Sequence, residues 1–397
     1  MHHAPKRTQV GIIGAGPAGL VLSHLLARHG IDSVVLEARA RAYVENRIRA
    51  GVLEQTTVDL LRALGLAGRL ERIAEDHPGV VLRIGGADTV IDLRALTGRS
   101  VSVYSQHLLV QDLIAARLAA GAPLYFDAPA YAIDGLNEAQ PVIRYRAAGE
   151  DRTLACDIVA GCDGFHGISR AAIPATALRV IEQTYPFAWL GILAEAPPAP
   201  DIVYARHAEG FALASRRSDQ VGRLYLQCPP DTDPASWEDA RIWDALSARL
   251  AVPGGPALAR GPILQKTLTP LRSAVAEPMR HGRLFLLGDA AHIVPPTGAK
   301  GLNLAVADVA VLGAALADFF AAGSTGGLDA YSDRALARIW RVQRFSWWMT
   351  TMLHPVPGRD GFTERLHAAE LAQLLESEAS QRALAENYVG LPLQAAL

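Results

Sequence analysis

Apolar positions along the chain fall in short blocks whose period changes from one region to the next. A continuous apolar run predicts a buried strand over 9–13, followed by the small-residue turn Gly14-Ala15-Gly16-Pro17-Ala18-Gly19. Apolar positions then recur at helical spacing over 20–28 and stop at Gly30, and 33–36 reads as the next strand. Strand, turn, helix and strand in that order predict a parallel sheet, because parallel neighbours need a crossover element between them. Helices over 56–64 and 110–120 fit the same layer. From 132 to 159 the pattern becomes short alternating runs, 141–146 and 153–159, as in antiparallel strands. Further strand-like runs at 187–194, 202–205, 211–217 and 223–228 predict a second sheet. Pro-rich breaks at 196–200 and 229–234 interrupt it, and a helix over 237–250 follows. Beyond a strand at 284–287 the remainder is mostly helical.

Composition narrows the possibilities. At 397 residues the chain is long enough for two or three domains without disulfide or metal staples. Half of it is apolar and 20% charged, the profile of a globular protein rather than a disordered one. Lys and Arg number 38 against 40 Asp and Glu, a net charge of -2, so no global field favours nucleic acid or anionic lipid. The cysteines Cys156, Cys162 and Cys228 are odd in number and badly spaced for zinc, which predicts no metal and a reducing, cytoplasmic setting. The N-terminus lacks the pattern of a secretory signal, and His2 and His3 read as incidental. The apolar stretch 302–323 contains Asn303, Asp308 and Asp318, so it predicts a buried helix rather than a membrane span.

Chemistry enters with Gly14-x-Gly16-x-x-Gly19 between a strand and a helix, with Glu37 ending the next strand 23 residues after Gly14. Such glycines let the backbone turn tightly and approach a pyrophosphate, the helix N-terminus favours its charge, and the acid suits a ribose hydroxyl. A purely structural turn is the plain alternative, and the fingerprint does not separate NAD from FAD. Two further segments bear on that choice. GCDGFHGISR at 161–170 carries Asp163 and Gly164 after an apolar strand, and LFLLGDAAHIVPPTGAKGLNLA at 284–305 carries Gly288-Asp289, a Pro/Gly loop and a helix start. That helix aims its positive end at the loop, Asn303 is either a ligand or an ordinary cap, and Pro295 and Pro296 lack amide donors but keep their carbonyls. On the strand over 211–217, Leu213, Ser215 and Arg217 share a face, and Tyr225 lies on the partner strand. An Arg with hydroxyls beside it is a ready carboxylate clamp; a solvent-facing Arg is the alternative.

With these motifs the chain resembles the single-component FAD-dependent aromatic hydroxylases, and within them those that hydroxylate 4-hydroxybenzoate. The resemblance runs almost end to end through IRAGVLEQ at 48–55, VYSQ at 103–106, GFALASRRS at 210–218, RFSWWMT at 344–350 and ENYVGLP at 386–392. It implies an α/β fold: a Rossmann-like FAD-binding domain on a parallel sheet (1–177 with 268–300), an antiparallel-sheet substrate domain (178–267), and a helical C-terminal region (301–397) that forms a homodimer surface or packs as core. It implies FAD held by Gly14, Gly16, Gly19, Glu37, Arg47, Arg49, Gln106, Asp163, Asp289, Leu302 and Asn303. It also implies NADPH or NADH as co-substrate, contacting Tyr43, His166 and Arg272. The small aromatic acid is expected at Ser215, Arg217, Tyr225 and Pro296. A relay from Tyr204 through Tyr388 to His77 would take the phenolic proton, since a phenol near pKa 10 is mostly protonated at neutral pH. The implied reaction uses O2 through a flavin hydroperoxide to give 3,4-dihydroxybenzoate. Alternatives are a relative acting on 3-hydroxybenzoate or converting 3,4-dihydroxybenzoate to gallate, a nicotinamide dehydrogenase, and a non-catalytic flavin-binding protein. Ala38 stands directly after Glu37 where NADPH-preferring relatives carry Arg, so weak discrimination between the two nicotinamides is expected.

Overall fold

Two eight-stranded sheets and a set of C-terminal helices organise the chain in the computed structural model, which describes residues 5–393 apart from 48, 50, 198–200, 357 and 359. His2 and His3, and Ile48 and Ala50 of the 48–55 segment, lie outside the described residues. The strand Arg7–Ile13 is central to the first sheet, with Ser33–Leu36 parallel on one side and Glu150–Gly161 parallel on the other. Leu124–Tyr125 and Leu284–Leu286 extend the parallel layer. Residues 132–159 are antiparallel only in part. Val142–Ala147 pairs antiparallel with Glu150–Gly161, but from Ala155 onward that strand also runs parallel to Arg7–Ile13. Its last four residues are buried on both faces, the environment that parallel pairing demands.

The helix Pro17–Arg28 covers this sheet through Leu20, Val21, Leu22, Leu25 and Leu26. It packs on Gly301–Ala322, where a Cβ at Gly313 would meet Leu25 Cδ2 at 2.3 Å, so a larger residue there would push the two helices apart. Gly301–Ala322 is long and apolar enough to cross a bilayer, yet 61% of its apolar window is buried against neighbouring elements of the protein. The buried helix expected over 302–323 is therefore observed, one residue earlier at its start and closed by Gly323 in the left-handed region.

The second sheet has the order 292–293, 263–277, 179–194, 222–228, 210–216, 203–207, 79–84 and 87–92. Two features depart from the expected division of the chain. The hairpin Gly79–Ile84/Ala87–Asp92 falls inside the segment assigned to the first domain but joins this sheet, with Val81 opposite Val203. The strand Ile263–Glu277 runs unbroken through the boundary placed at 268, paired with Arg179–Ala194 along its length. Alternation divides the sheet's side chains between two cores. Ala205, Ala212, Ala214, Leu224 and Leu226 pack under the helix Asp239–Arg249, while Trp189, Tyr204, Phe211 and Leu213 face Phe345, Met349, Leu384 and Tyr388 of the C-terminal helices. Phe345, Ser346, Met349 and Thr350 of RFSWWMT are thus core, whereas Trp347 is exposed.

Arg117, on the helix Gln106–Ala119, shows how the first sheet is braced. It is buried, has no carboxylate partner among the described residues, donates to the carbonyls of Ser33 (2.7 Å) and Pro123 (3.0 Å), and burial pushes its pKa down to about 10. Arg117→Met keeps much of the volume but removes the guanidinium's bonds to both carbonyls, with only the 3.2 Å bond from Val35 N left at Pro123 O. It should lower unfolding free energy in urea by about 2–3 kcal/mol; a loss below about 0.5 kcal/mol, an ordinary surface effect, would show that the brace is dispensable.

Candidate active site

The turn after the first strand is built by two steric requirements and one vacancy in the packing. Gly14 has φ +106°, and a Cβ there would lie 2.4 Å from Cys162 O; at Gly19 it would lie 2.0 Å from Gly14 O. At Gly16, by contrast, a Cβ meets no atom within 4 Å, and this residue caps the helix Pro17–Arg28 with no side-chain partner. Glu37 accepts from the amides of Ala15 and Arg39, each at 2.8 Å, so its carboxylate sits at the mouth of the turn.

Asp289 and Arg49 face each other at 3.6 Å, both substantially exposed. The turn before Asp289 is held from below: the Gly288 amide donates to Asp308 Oδ2 (2.9 Å), which also takes a hydrogen bond from His292 Nε2 (2.6 Å). Burial pulls the His292 pKa down, but the charge of Asp308 and its hydrogen bond outweigh burial and leave it raised. The loop 295–300 ends at the helix Gly301–Ala322, whose first turn has no side-chain cap. Gln106 opens the helix Gln106–Ala119 nearby in sequence to Tyr104, whose carbonyl lies so close to Gly51 that a Cβ would meet it at 1.8 Å. Arg47 follows the short helix Arg41–Asn46 and is exposed.

Three expected cofactor or substrate contacts are wholly or partly engaged within the protein. Asn303 Oδ1 accepts from Glu54 N and Thr57 Oγ1, both at 2.9 Å, and its amide donates to Val52 O and Ala299 O, so the side chain is fully satisfied inside the protein. Only the backbone ends of Leu302 and Asn303 are left for a ligand. Asp163 Oδ2 takes the Ser169 amide of the short helix Ile168–Ala171 at 2.9 Å, burial raises its pKa, and Oδ1 is buried with no hydrogen-bond partner among the described residues. The Pro296 carbonyl, expected to point outward, accepts from Ala299 N at 2.9 Å in a tight turn.

On the second sheet, register sets Ser215 opposite Arg223 and Leu213 opposite both Tyr225 and Tyr204. Arg217 lies one residue past the strand Gly210–Arg216, where its amide bonds Val221 O and begins the turn, rather than within a strand reaching 217. Ser215 Oγ donates to Arg223 O (3.3 Å), and Arg223 Nε donates to Tyr225 Oη (2.6 Å). Arg223 Nη1 is buried and has no hydrogen-bond partner among the described residues. Burial and then the charge of Arg223 push the Arg217 pKa down. Two guanidiniums, one with an orphaned donor, beside two hydroxyls make a site short of an anion. Sequence reasoning alone passes over Arg223, although its period-two spacing from Tyr225 carries the signal.

At the other end of this face, Tyr204 Oη and Tyr388 Oη are 2.8 Å apart, both rings buried. Burial raises Tyr204 well above its ordinary value and Tyr388 to about 12. Phe187, Trp189 and Phe211 wall this region, stacked around His354, whose Nε2 accepts from Trp189 Nε1 at 2.7 Å. His77 is not joined to the pair: it makes no hydrogen bond to either tyrosine among the described residues, and its Nε2 lies 3.6 Å from Glu75 on the same strand. On the outer side, Arg170 and Arg272 lie 4.1 and 3.8 Å from the Phe165 ring centre, with His166 exposed beside it. Tyr43 is also exposed, with Arg39 over its ring.

Comparison with known proteins decides the family. The FAD binding domain model matches residues 7–346. The chain belongs to the FAD-binding-domain family of flavin-dependent hydroxylases. Within this family it is 45% identical to the p-hydroxybenzoate hydroxylase of Acinetobacter baylyi over 390 residues, 98% of this chain and 96% of that one. It is 28% identical to a 3-(3-hydroxy-phenyl)propionate/3-hydroxycinnamic acid hydroxylase of Burkholderia cenocepacia over 77% of this chain, which spans 56% of that longer protein. The fold matches the crystal structure of p-nitrophenol 4-monooxygenase from Pseudomonas putida with a TM-score of 0.83 at 20% identity, covering 98% of this chain and all of that one.

The residues present fit the family's cofactor. Gly16 leaves a cradle that a Cβ would fill, Glu37 stands at its mouth, and Asp289 and Arg49 offer exposed polar groups beyond it. A structural turn and a cofactor cradle make opposite predictions for Gly16, whose φ of -75° any residue can adopt. Gly16→Val should lower the unfolding free energy of the FAD-free protein by no more than about 1 kcal/mol, the cost of a poorer N-cap. Its affinity for FAD, read by quenching of flavin fluorescence, should fall at least about tenfold, a cost of about 1.4 kcal/mol. Destabilisation with unchanged FAD affinity would reverse the assignment.

Proposed function

We propose that this chain is a 4-hydroxybenzoate 3-hydroxylase, which converts 4-hydroxybenzoate, O2, a reduced nicotinamide and a proton into 3,4-dihydroxybenzoate, water and the oxidised nicotinamide. The observation that carries the reading is one sheet face with an anion-deficient cluster (Ser215, Arg217, Arg223, Tyr225) at one end and the hydroxyl pair Tyr204–Tyr388 at the other. Tyr204 and Tyr225 stand on strands two apart, about 10 Å at the usual strand spacing. A benzoate bearing a para hydroxyl matches both ends. The 45% identity to the Acinetobacter baylyi enzyme over nearly the whole of both chains supports the same substrate.

In this reading Gly14, Gly16, Gly19 and Glu37 hold the adenosine and pyrophosphate end of FAD. Arg47, Arg49, Gln106, Asp289 and the backbone amides at Leu302 and Asn303 hold the rest. When bound and reduced, FAD supplies the electrons that activate O2. The chain's own residues do the remainder. Arg217 binds the carboxylate through its planar fork. Tyr225, whose hydroxyl accepts from Arg223 and keeps its own proton, is a further donor, and Ser215 adds another when its hydroxyl turns from Arg223 O to the substrate. Tyr204 Oη takes the proton of the substrate hydroxyl while giving its own to Tyr388 Oη, and Tyr388 releases its own proton toward solvent in the same step, which leaves the substrate ring electron-rich and both tyrosines protonated. The raised pKa values suit this concerted shift, because neither tyrosine is left as a phenolate at neutral pH. The aromatic wall of Phe187, Trp189 and Phe211 excludes water. His77 makes no direct hydrogen bond to Tyr388 among the described residues, so in this reading it hands the proton on to solvent by way of water.

Tyr43, His166 and Arg272, with Arg170, are read as the surface for the nicotinamide dinucleotide. Arg41 is paired with Glu45 at 2.7 Å, so Arg39, stacked on Tyr43, is the guanidinium on offer near Ala38 for a 2′-phosphate. NADPH is therefore used with weak preference over NADH. We read the chain as a cytoplasmic homodimer, for which the exposed Trp347, Phe362 and Leu366 of the C-terminal helices supply apolar surface.

Mass spectrometry of products from a panel of hydroxybenzoates tests the reaction, with 3,4-dihydroxybenzoate from the 4-hydroxy isomer as the expected outcome. Arg217→Lys should raise the substrate KM by roughly a hundredfold or more, as loss of a charge-assisted contact implies, while FAD stays bound; an unchanged KM refutes the clamp. Tyr388→Phe should still oxidise the nicotinamide in the presence of substrate but release hydrogen peroxide in place of hydroxylated product. Full coupling in that variant would exclude the relay.

A further inference from the structure

Arg217 has a neighbour that the proposed reaction does not use. Its Nη2 lies 3.2 Å from Nδ1 of His107, in the first turn of the helix Gln106–Ala119 and adjacent to Gln106. A guanidinium carries donors only, so Nδ1 must be the acceptor, and His107 is neutral with its proton on Nε2. Burial, then the charges of Arg217 and Arg69, push the His107 pKa below its ordinary value and keep this accepting form at neutral pH. The charged groups that face His107 are Arg217 from the hairpin, with Arg223 behind it, and Arg69 from the helix Gly68–Ile73. Arg69 is itself paired with Asp112 at 3.3 Å, and Asp112 also takes the hydroxyl of Tyr104. Among the described residues no carboxylate pairs with Arg217, so the imidazole is its one side-chain acceptor.

We propose that His107 is a positioning residue for the substrate's carboxylate. It fixes the Arg217 guanidinium by one Nη2 hydrogen and leaves the remaining donors free for a two-point contact. The inference rests on Arg217 being the clamp. The physical need comes from Arg223: its like charge repels Arg217, and a guanidinium at the start of a turn would swing away from it toward solvent. A neutral acceptor on a rigid helix opposes that swing without competing for the substrate, as a carboxylate would. The bond also joins the hairpin that binds the acid to the helix that begins with Gln106, so the two ends of the site share one support. Protonation has the same effect as removal, because an imidazolium has no lone pair to offer and adds a third positive charge. Affinity is therefore full while His107 is neutral and falls as pH drops through its lowered pKa.

Three forms of the FAD-loaded enzyme separate this role from a structural one: the parent, His107→Asn and His107→Leu. Substrate Kd, KM and kcat are measured between about pH 5.5 and 8.5, the range in which a histidine changes charge. Asn presents Oδ1 where Nδ1 stood and accepts at every pH. At the alkaline end it should keep KM within about twofold of the parent, whereas Leu should raise KM and Kd roughly tenfold, the loss of one hydrogen bond, with kcat nearly unchanged. At the acid end the parent's Kd should climb while that of His107→Asn climbs less. A Leu variant with the parent's Kd overturns the proposal, as does a parent and Asn pair with the same pH dependence, or a Leu variant that loses kcat and KM alike. Arg217→Lys separates the two readings. If it leaves Kd unchanged, the clamp itself is wrong; if it weakens binding while His107→Leu does not, only the role of His107 falls.

Discussion

A single buried ammonium holds the site together. Lys300 donates to Glu54 Oε1 at 2.7 Å and to the Tyr388 carbonyl at 2.8 Å, all out of contact with solvent. It thereby joins the loop before the helix Gly301–Ala322, the segment that begins the helix Gln55–Ala63, and the C-terminal helix that carries Tyr388. Burial pulls the Lys300 pKa down and Glu54 pulls it back only in part. Taking two charges out of water is costly, and the arrangement holds because nearly every donor and acceptor is met. Glu54 has a second cation in Arg338 at 3.8 Å, its amide is taken by Asn303, and Gly390 leaves room for its carboxylate, where a Cβ would lie 2.1 Å away. Removal of one partner would strand the other, at a cost of about 3–5 kcal/mol. Three segments remote in sequence are thus fixed to one another where the proposed cofactor, substrate and relay residues converge.

Features that arise from neighbours along the chain are legible in the sequence itself. The Gly14–Gly19 turn stands out because a strand and a helix flank it, and Ser215, Arg217 and Tyr225 come together because side chains alternate on strands. What stays hidden shares one property: it depends on partners far away along the chain. Lys300 and Glu54 are 246 residues apart and have no local signature. His107 escapes notice because the apolar helical pattern is plain only from 110, whereas the helix starts at Gln106. Asn303 looks like a ligand because its position at a helix start is polar, yet four hydrogen bonds from inside the protein use it up. The hairpin at 79–92 is obscured for a different reason. Its strands are short, and its turn, Gly85-Gly86 with both φ values positive, joins two runs that carry charge on their outward faces.

Aromatic and aliphatic side chains on the inner face of the second sheet leave few places for polarity, which is why the polar groups there sit at the two ends. Between them Trp189, Phe211 and Leu213 form a nonpolar floor, and His354 is held neutral by burial, its pKa lowered to about 3. A charged His354 would repel a cation and attract an anion in the middle of this floor. Kept neutral, with Trp189 donating to one ring nitrogen and the other donating to Thr350 O, it behaves as one more aromatic ring.

The long ladder between Arg179–Ala194 and Ile263–Glu277 sets how the molecule can move. Its register runs from Arg179 opposite Glu277 to Ala194 opposite Ile263, with one irregularity near Thr184 and Ala188 and another at Leu193 and Ala194. A few residues after Glu277 the chain is already in the first sheet, at Arg280–His281 and Leu284–Leu286. The two layers are therefore spliced by paired backbone rather than strung on a linker. A hinge of the kind that opens two-lobed enzymes would have to shear hydrogen bonds along that ladder. Entry and exit of small molecules are left to rotating side chains and shifting loops, and a protease that nicks a surface loop would not release either layer as a free piece.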